Sequence, residues 1–182
     1  VIRDVMQNHL LQILSLVAMD RPSHFAAGNI CNQKVKVLRA IAPLAREQVA
    51  VGQYTGADRD GQRVPGYRED DSVPDDSQTS TYAAAVLYID NERWRGVPFF
   101  VEAGKGLASK MTEIRIRFRV DALPLFRTVD GHEGFQNELV IRVQPDESIY
   151  LTMANKVPGV GMRITETQLD LQYHEAFREH LI

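Results

Sequence analysis

The stretch "DVMQNHLLQ", Asp4 to Gln12, sets Asp, Asn, His and Gln inside an otherwise apolar run. Histidine is the side chain best matched to proton transfer near neutral pH, so His9 is a candidate general base. At about 100° per residue, Asp4, Ser15, Asn8, Gln12 and His9 share one helical stripe spanning roughly 140°, with Asp4 and His9 at its edges. A base needs an orienting partner, and Asp4 is badly placed for that role at such a separation. A solvent-facing stripe, or a satisfied buried histidine, fits the same pattern.

The second candidate is "AGKGLASK", Ala103 to Lys110. Gly104-x-Gly106-x-x-Ser109 imitates a dinucleotide fingerprint. The real one runs from a strand into a helix whose N-terminus meets the pyrophosphate. Here a strand follows, which excludes that reading. A glycine-flanked loop presenting Lys105 and Lys110 remains, suited either to a small anion such as a phosphate or to a solvated turn.

Arg115, Arg117 and Arg119, with Arg142 on a later strand, form a third group, either paired with carboxylates such as Glu113 and Glu138 or open to an anionic ligand. "REDDSVPDD" lacks the ordered alternation of a calcium loop and reads as solvated. Trp94 reads as core or turn packing. Cys31 has no activating neighbour in the sequence, and His24, His132, His174 and His180 lack ligand-like spacing, so no metal site is expected.

These residues need elements to position them. Residues 5–19 predict one helix with Asp4 as N-cap and Gln7 completing a loose capping box. Pro22 ends it. "NQKVKVLRAIAPL" predicts a second, amphipathic helix with Val37, Leu38 and Ile41 on one face, closed by Pro43. The pattern then turns to period two. "QVAVGQYT", "TYAAAVLYID" (a strand able to be buried on both faces), "FFVEAG", "TEIRIRFRV", "NELVIRVQP", "SIYLTM" and "TQLDLQY" read as strands. In "TEIRIRFRV", Ile114, Ile116, Phe118 and Val120 point one way and the arginines the other. Residues 55–78 read as a long polar loop. Two helices ahead of about seven strands, with no βαβ alternation, predict an α+β domain. Its large, mainly antiparallel sheet carries helices on one side.

The 182 residues favour a single domain able to bury a sizeable core. A net charge of −3 gives nucleic-acid binding no electrostatic support. One cysteine excludes an internal disulfide and a cysteine-built metal site. No apolar run reaches the ~18 residues of a membrane span, and Val1 to Asp20 lacks the features of a signal peptide. The chain starts without Met just before a helix and stops at "EAFREHLI" in what reads as a starting helix, so a fragment of a longer protein is expected.

"IRDVMQNHLLQ", "KVKVLRAI", "VPDDSQTSTYAA", "NERWRGVPFF", "AGKGLASK" and "NELVIRVQP" occur in that order. Together they resemble glucose-6-phosphate dehydrogenase, over nearly all of residues 1–175. The likeness is to that family's C-terminal α+β domain plus the helix carrying its catalytic histidine, so residues 1–182 would be part of that domain. It implies that His9 takes the proton from the anomeric hydroxyl of glucose 6-phosphate as hydride leaves C1 for the nicotinamide of NADP. The products would be 6-phosphogluconolactone and NADPH. It also implies that Asp4 contacts sugar hydroxyls, that Lys105 and Lys110 line the sugar-phosphate site, and that Gln144 is a further contact there. The Rossmann-type dinucleotide domain of the family, its Asp-His-Tyr stretch and another sugar-binding carboxylate lie upstream of these motifs. The fragment alone is therefore expected to be inactive.

Some members bind a second, structural NADP. Arg115, Arg142, Tyr150 and Asp170 match that pattern, while Glu102, Met111 and Thr152 stand where it has basic residues. Trading cations for a carboxylate and two neutral groups weakens phosphate binding. "ICNQ" replaces the usual Arg-Asp-Glu run before the second helix, without a functional reading. The resemblance further implies a homodimer or homotetramer formed through the sheet and a cytoplasmic setting, with an organelle left open. The rival readings are a non-catalytic sugar-phosphate-binding or dimerisation module, and a diverged homologue inactive at full length.

Overall fold

The computed structural model describes residues 1–59, 61–119, 127–128, 136–161 and 163–173. Val120, His132, His174, His180 and the helix expected near residue 175 lie outside them. The chain divides into two compact units, Val1–Leu107 and Ala108–Ile182. The α+β class is observed, with helices and strands that pair mainly antiparallel.

The first helix departs from expectation at its start. Val1, not Asp4, occupies the N-cap position, and no side chain caps it. The N–H groups of Val5 and Met6 both reach the Val1 carbonyl, at 2.9 and 3.2 Å. Ile2–Leu10 is wound as a π-helix and Leu11–Ala18 (α1) as an α-helix. The apolar spacing explains the winding. Val1, Val5, Met6, Leu10 and Leu11 are half-buried and recur every five residues. An i→i+5 ladder lines such positions into one stripe. Met6, Leu10 and Leu11 use that stripe to reach the core.

In α1 the buried residues Leu14, Ser15 and Ala18 return to ordinary helical spacing. Ser15, expected on the polar stripe, is fully buried. Its Oγ donates to the Gln12 carbonyl at 2.9 Å, so burial leaves no orphan hydroxyl. Met19, in extended conformation, ends the helix ahead of Pro22.

The second helix, α2, covers Ala27–Arg39 and ends before Pro43 because the next residues join a sheet edge. Ile41 bridges Ile89, Ala42 donates to the Tyr88 carbonyl at 2.9 Å and Asp90 to the Ala40 carbonyl at 2.7 Å. Val37 is its buried residue, and Lys34 bonds the Gln12 side chain across the helix pair.

β1 (Val49–Gly52) is followed by a two-stranded hairpin, β2 (Ala57–Arg59) and β3 (Gln62–Val64), within the stretch expected as loop. β4 (Tyr82–Tyr88) lies between β1 and β5 (Pro98–Gly104), antiparallel to both. Ala83, Ala85 and Leu87 of β4, with Ile89 beyond it, alternate into the core, where Val101 and Ala103 of β5 join them. Burial on both faces is not observed: Ala84 and Val86 are half-buried and Tyr88 is exposed. Leu14, Ala18, Val37, Ala85, Leu87, Ile89 and Val101 make one cluster, so the helices cover one face of this sheet. Fully burying a side chain such as Ile89 contributes roughly 1.5–3 kcal/mol.

Among the described residues the second unit forms a five-stranded sheet in the order β6-β8-β9-β10-β7. Its strands are β6 (Thr112–Arg117), β7 (Arg127–Thr128), β8 (Glu138–Gln144), β9 (Ser148–Lys156) and β10 (Arg163–Gln172). Only β7 pairs parallel, with β10. The register sorts side chains into rows. Ile114, Ile141, Ile149 and Leu171 share one row, and Ile116, Leu139, Leu151 and Leu169 the next, giving an aliphatic face. The opposite face carries Arg115, Val140, Tyr150 and Asp170 in one row, flanked by Glu113, Arg142, Ser148 and Gln172 on one side and Arg117, Glu138, Thr152 and Gln168 on the other.

Candidate functional site

In the first unit, the π-wound segment packs against β5 and β4. Its apolar stripe is spent on that contact, which leaves Asp4, Asn8, His9 and Gln12 exposed. The winding corrects the angle between Asp4 and His9. An i→i+5 ladder sets residues five apart nearly above one another, where α-helical geometry would separate them widely. Neither side chain makes a hydrogen bond or ion pair among the described residues. The signal that sequence reasoning missed is the five-residue apolar repeat.

β5, against which this segment packs, ends at Gly104 and runs directly into Lys105. The Lys105 N–H donates to the Thr81 carbonyl at 2.8 Å, and its side chain is exposed. Gly106 has φ +68, a left-handed conformation that favours glycine. The turn leads along the chain toward β6 without a helix, as the order of elements predicted, so it is no dinucleotide fingerprint.

Lys110 and Gln144 both belong to the second unit. Gln144 ends β8 and pairs with Thr112 of β6, two residues after Lys110. Both side chains are exposed. Asp4, His9 and Lys105 thus belong to one unit, and Lys110 and Gln144 to the other.

Arg115, Arg117 and Arg142 of the arginine group are paired rather than open, while Arg119 is exposed and makes no ion pair among the described residues. Arg115 bonds Glu113 at 2.7 Å and Glu138 at 2.9 Å, Arg117 bonds Glu138 at 2.8 Å, and Arg142 bonds Glu113 at 2.8 Å. Burial pushes the Glu113 carboxyl up, but hydrogen bonds from Arg142 and Arg115 outweigh it and hold the pKa below the ordinary glutamate value. The hydrogen bond to Glu113 likewise raises Arg115 and Arg142, against the smaller opposing effect of burial. Val140, in the middle of this face, is completely buried. Arginine and tyrosine stems around it explain how an apolar residue is covered on a charged face.

Arg142, Tyr150 and Asp170 line a concavity of about 550 Å³ together with Asp146, Glu147, Ser148, Gln168 and Gln172. This is the neighbourhood to which the resemblance assigns a second NADP. A dinucleotide phosphate needs free cations. Here three carboxylates face one guanidinium, which is already committed to Glu113. Arg115 is likewise held by Glu113 and Glu138, and Thr152 brings no charge. These side chains do not fit a second dinucleotide.

The remaining candidates are structural in their contacts. Trp94 donates from Nε1 to the Ala18 carbonyl at 2.8 Å and stacks edge-on against Phe99, which ties the end of α1 to β5. In the acidic loop, the Asp70 carboxylate accepts from the Ser72 hydroxyl at 2.6 Å and N–H at 2.9 Å, which lowers its pKa. His24 lies beside the Ser23 hydroxyl, and Cys31 is exposed. Among the described residues no three of His, Cys, Asp or Glu gather to hold a metal, and no helix is long and apolar enough to cross a membrane.

The family described as glucose-6-phosphate dehydrogenase, C-terminal domain, matches residues 1–182. The chloroplastic glucose-6-phosphate 1-dehydrogenase of Spinacia oleracea is 51% identical over 180 residues, which is 98% of this chain and 31% of the relative. Glucose-6-phosphate 1-dehydrogenase of Emericella nidulans is 50% identical over 179 residues, 98% of this chain and 34% of that one. A solved glucose-6-phosphate dehydrogenase in complex with its substrate glucose-6-phosphate superposes with a TM-score of 0.86 and 43% identity, covering all of this chain and 36% of that one. Glucose-6-phosphate 1-dehydrogenase from Mycobacterium avium gives 0.77 and 36%. The chain therefore spans about a third of the length of these relatives. Its elements and rows of side chains, matched from end to end at about half identity, place it in a known group: the chain belongs to the glucose-6-phosphate dehydrogenase C-terminal domain family.

Proposed function

We propose that this chain supplies the sugar-phosphate half of an NADP-dependent glucose-6-phosphate dehydrogenase. The reaction is oxidation of D-glucose 6-phosphate to 6-phospho-D-glucono-1,5-lactone with formation of NADPH, the first step of the oxidative pentose phosphate pathway. The observation that carries this reading is local to one unit. The exposed His9 sits on a segment packed against β5, and β5 delivers Lys105 at its end.

The described residues hold no strand–turn–helix seat for a nicotinamide dinucleotide. NADP, bound elsewhere in the complete enzyme, supplies the hydride acceptor. The work of these residues concerns the sugar phosphate. The imidazole of His9 accepts the proton of the anomeric hydroxyl, a general-base task for which histidine is suited. The Asp4 carboxylate, brought near His9 by the i→i+5 winding, accepts hydrogen bonds from sugar hydroxyls. The Lys105 ammonium neutralises the phosphate. In the second unit, Lys110 offers a further cation and Gln144 a neutral amide for a sugar phosphate. The solved relative's complex with its substrate glucose-6-phosphate supports the choice of substrate.

Assembly as a homodimer or homotetramer through the five-stranded sheet is part of the same reading. Leu169 and Leu171, 61% and 41% exposed on the aliphatic face, support it. Chloroplastic and fungal relatives leave the compartment open.

The test is NADPH production from glucose 6-phosphate by the complete enzyme chain that carries these residues and, separately, by residues 1–182 alone. The complete chain turns over, with unphosphorylated glucose a far poorer substrate, and the fragment produces no NADPH. Equal use of both sugars would remove the lysines from the phosphate, and turnover by the fragment would contradict the division between this chain and a separate dinucleotide domain.

A further inference from the structure

The Gly104-Lys105-Gly106 turn is fixed from beneath by residues to which no role has been assigned. Thr81 is 3% exposed and uses each of its polar groups. Its N–H donates to the Gly52 carbonyl at 2.9 Å, its Oγ1 accepts from the Tyr54 N–H at 2.9 Å, and its carbonyl accepts from the Lys105 N–H at 2.8 Å. One residue therefore joins the end of β1, the start of β4 and the turn after β5.

Tyr54 closes the arrangement from the other side. A Cβ added to Gly106 would lie 3.0–3.2 Å from Cγ, Cβ and Cδ1 of Tyr54, so ring and turn are in contact with no room to spare. A Cβ on Gly104 would meet Tyr82 Cδ2 at 2.9 Å. Tyr54 is itself held by Tyr67, edge-to-face at 5.9 Å, and the Tyr67 N–H donates to the Tyr54 carbonyl at 3.1 Å. The stretch 55–78 is likewise tied down, since Gln53 Nε2 donates to the carbonyls of Ser77 and Thr79 at 2.7 and 3.0 Å. A lysine side chain is long and rotamer-rich, so the position of its ammonium depends on the backbone that carries it.

We propose that Thr81 and Tyr54 are positioning residues for Lys105: they fix the backbone of the glycine-flanked turn so that its ammonium meets the substrate phosphate. The proposal rests on the reading of Lys105 as a phosphate cation. Thr81 Oγ1 sets Tyr54, the Tyr54 ring bounds the turn at Gly106, and the Thr81 carbonyl anchors Lys105 itself. The hydroxyl of Tyr54 has no part in this, because ring and Cβ atoms make the contact.

The experiment uses the complete enzyme and compares Lys105→Ala, Thr81→Val, Thr81→Ser, Tyr54→Phe, Gly106→Ala and the double variant Thr81→Val with Lys105→Ala. Readouts are KM and kcat for glucose 6-phosphate, inhibition by inorganic phosphate, and the thermal midpoint. Lys105→Ala raises KM with kcat largely kept, as expected for a contact made equally in ground and transition states. Thr81→Val, which orphans the Tyr54 N–H, raises KM about fivefold and weakens phosphate inhibition by the same factor. Thr81→Ser restores both, Tyr54→Phe changes neither, and Gly106→Ala behaves like Thr81→Val. In the double variant Thr81→Val adds nothing to Lys105→Ala, because the group being positioned is gone. If Lys105→Ala raises KM while Thr81→Val and Gly106→Ala lower only the thermal midpoint, the positioning role is wrong and the site stands. If Lys105→Ala leaves KM unchanged, the reading of the site fails first and this proposal with it.

Discussion

At the scale of single residues, side chains matter here through what holds them. Trp94 is an example: its Nε1–H on the Ala18 carbonyl and its edge contact with Phe99 bind the C-terminal end of α1 to the sheet. Trp94→Phe removes that donor and should lower stability by about 1–2 kcal/mol, read as a shifted midpoint in urea. An unshifted midpoint would show that the bond adds nothing net. The chemistry expected of His9, Asp4 and Lys105 came from the family resemblance rather than from pattern alone. Sequence reasoning read Trp94 as packing, as its contacts show, because residue type carries that meaning. It missed Thr81 and Tyr54, whose importance lies in backbone hydrogen bonds between distant segments that no local pattern displays. It also put Ser15 on the wrong face, because a hydroxyl bonded to the carbonyl three residues back can be buried at little cost.

At the scale of elements, strand patterning was the most legible feature. The alternation in "TEIRIRFRV" gave β6 and the correct sides for Ile114, Ile116, Arg115 and Arg117. The first helix was read with the wrong period, so its start, its cap and the angle between Asp4 and His9 were all misjudged. The β2–β3 hairpin went unseen inside a polar stretch, although Asp60-Gly61 is a hairpin-turn pair in sequence and Gly61 has φ +77.

The paired arginine face yields a pH prediction. Glu113 has a folded pKa below its unfolded value, so its contribution is complete above the ordinary glutamate value of 4.5 and is lost as pH falls through the lower folded value. Thermal unfolding followed by circular dichroism at stepped pH should show the sheet weakening over that acid window. Glu113→Gln should be less stable near neutrality and should show a flatter response to acid. An unchanged acid response in Glu113→Gln would remove the carboxylate from the account.

At the scale of the whole molecule, the chain spans about a third of the length of its relatives, and as proposed it is a half-site rather than a complete catalyst. The aliphatic rows of the five-stranded sheet belong to this scale, since Leu169 is 61% exposed. Leu169→Glu in the complete enzyme should shift the mass seen by analytical ultracentrifugation toward monomer, and an unchanged mass would place the subunit contact elsewhere. The central claim is that His9 is the base. The most direct measurement is steady-state turnover of the complete enzyme carrying His9→Asn, set beside its affinity for glucose 6-phosphate. Removing a general base alone costs roughly 10²–10⁴-fold in kcat or more, with substrate binding largely kept. Wild-type turnover in His9→Asn would contradict the account.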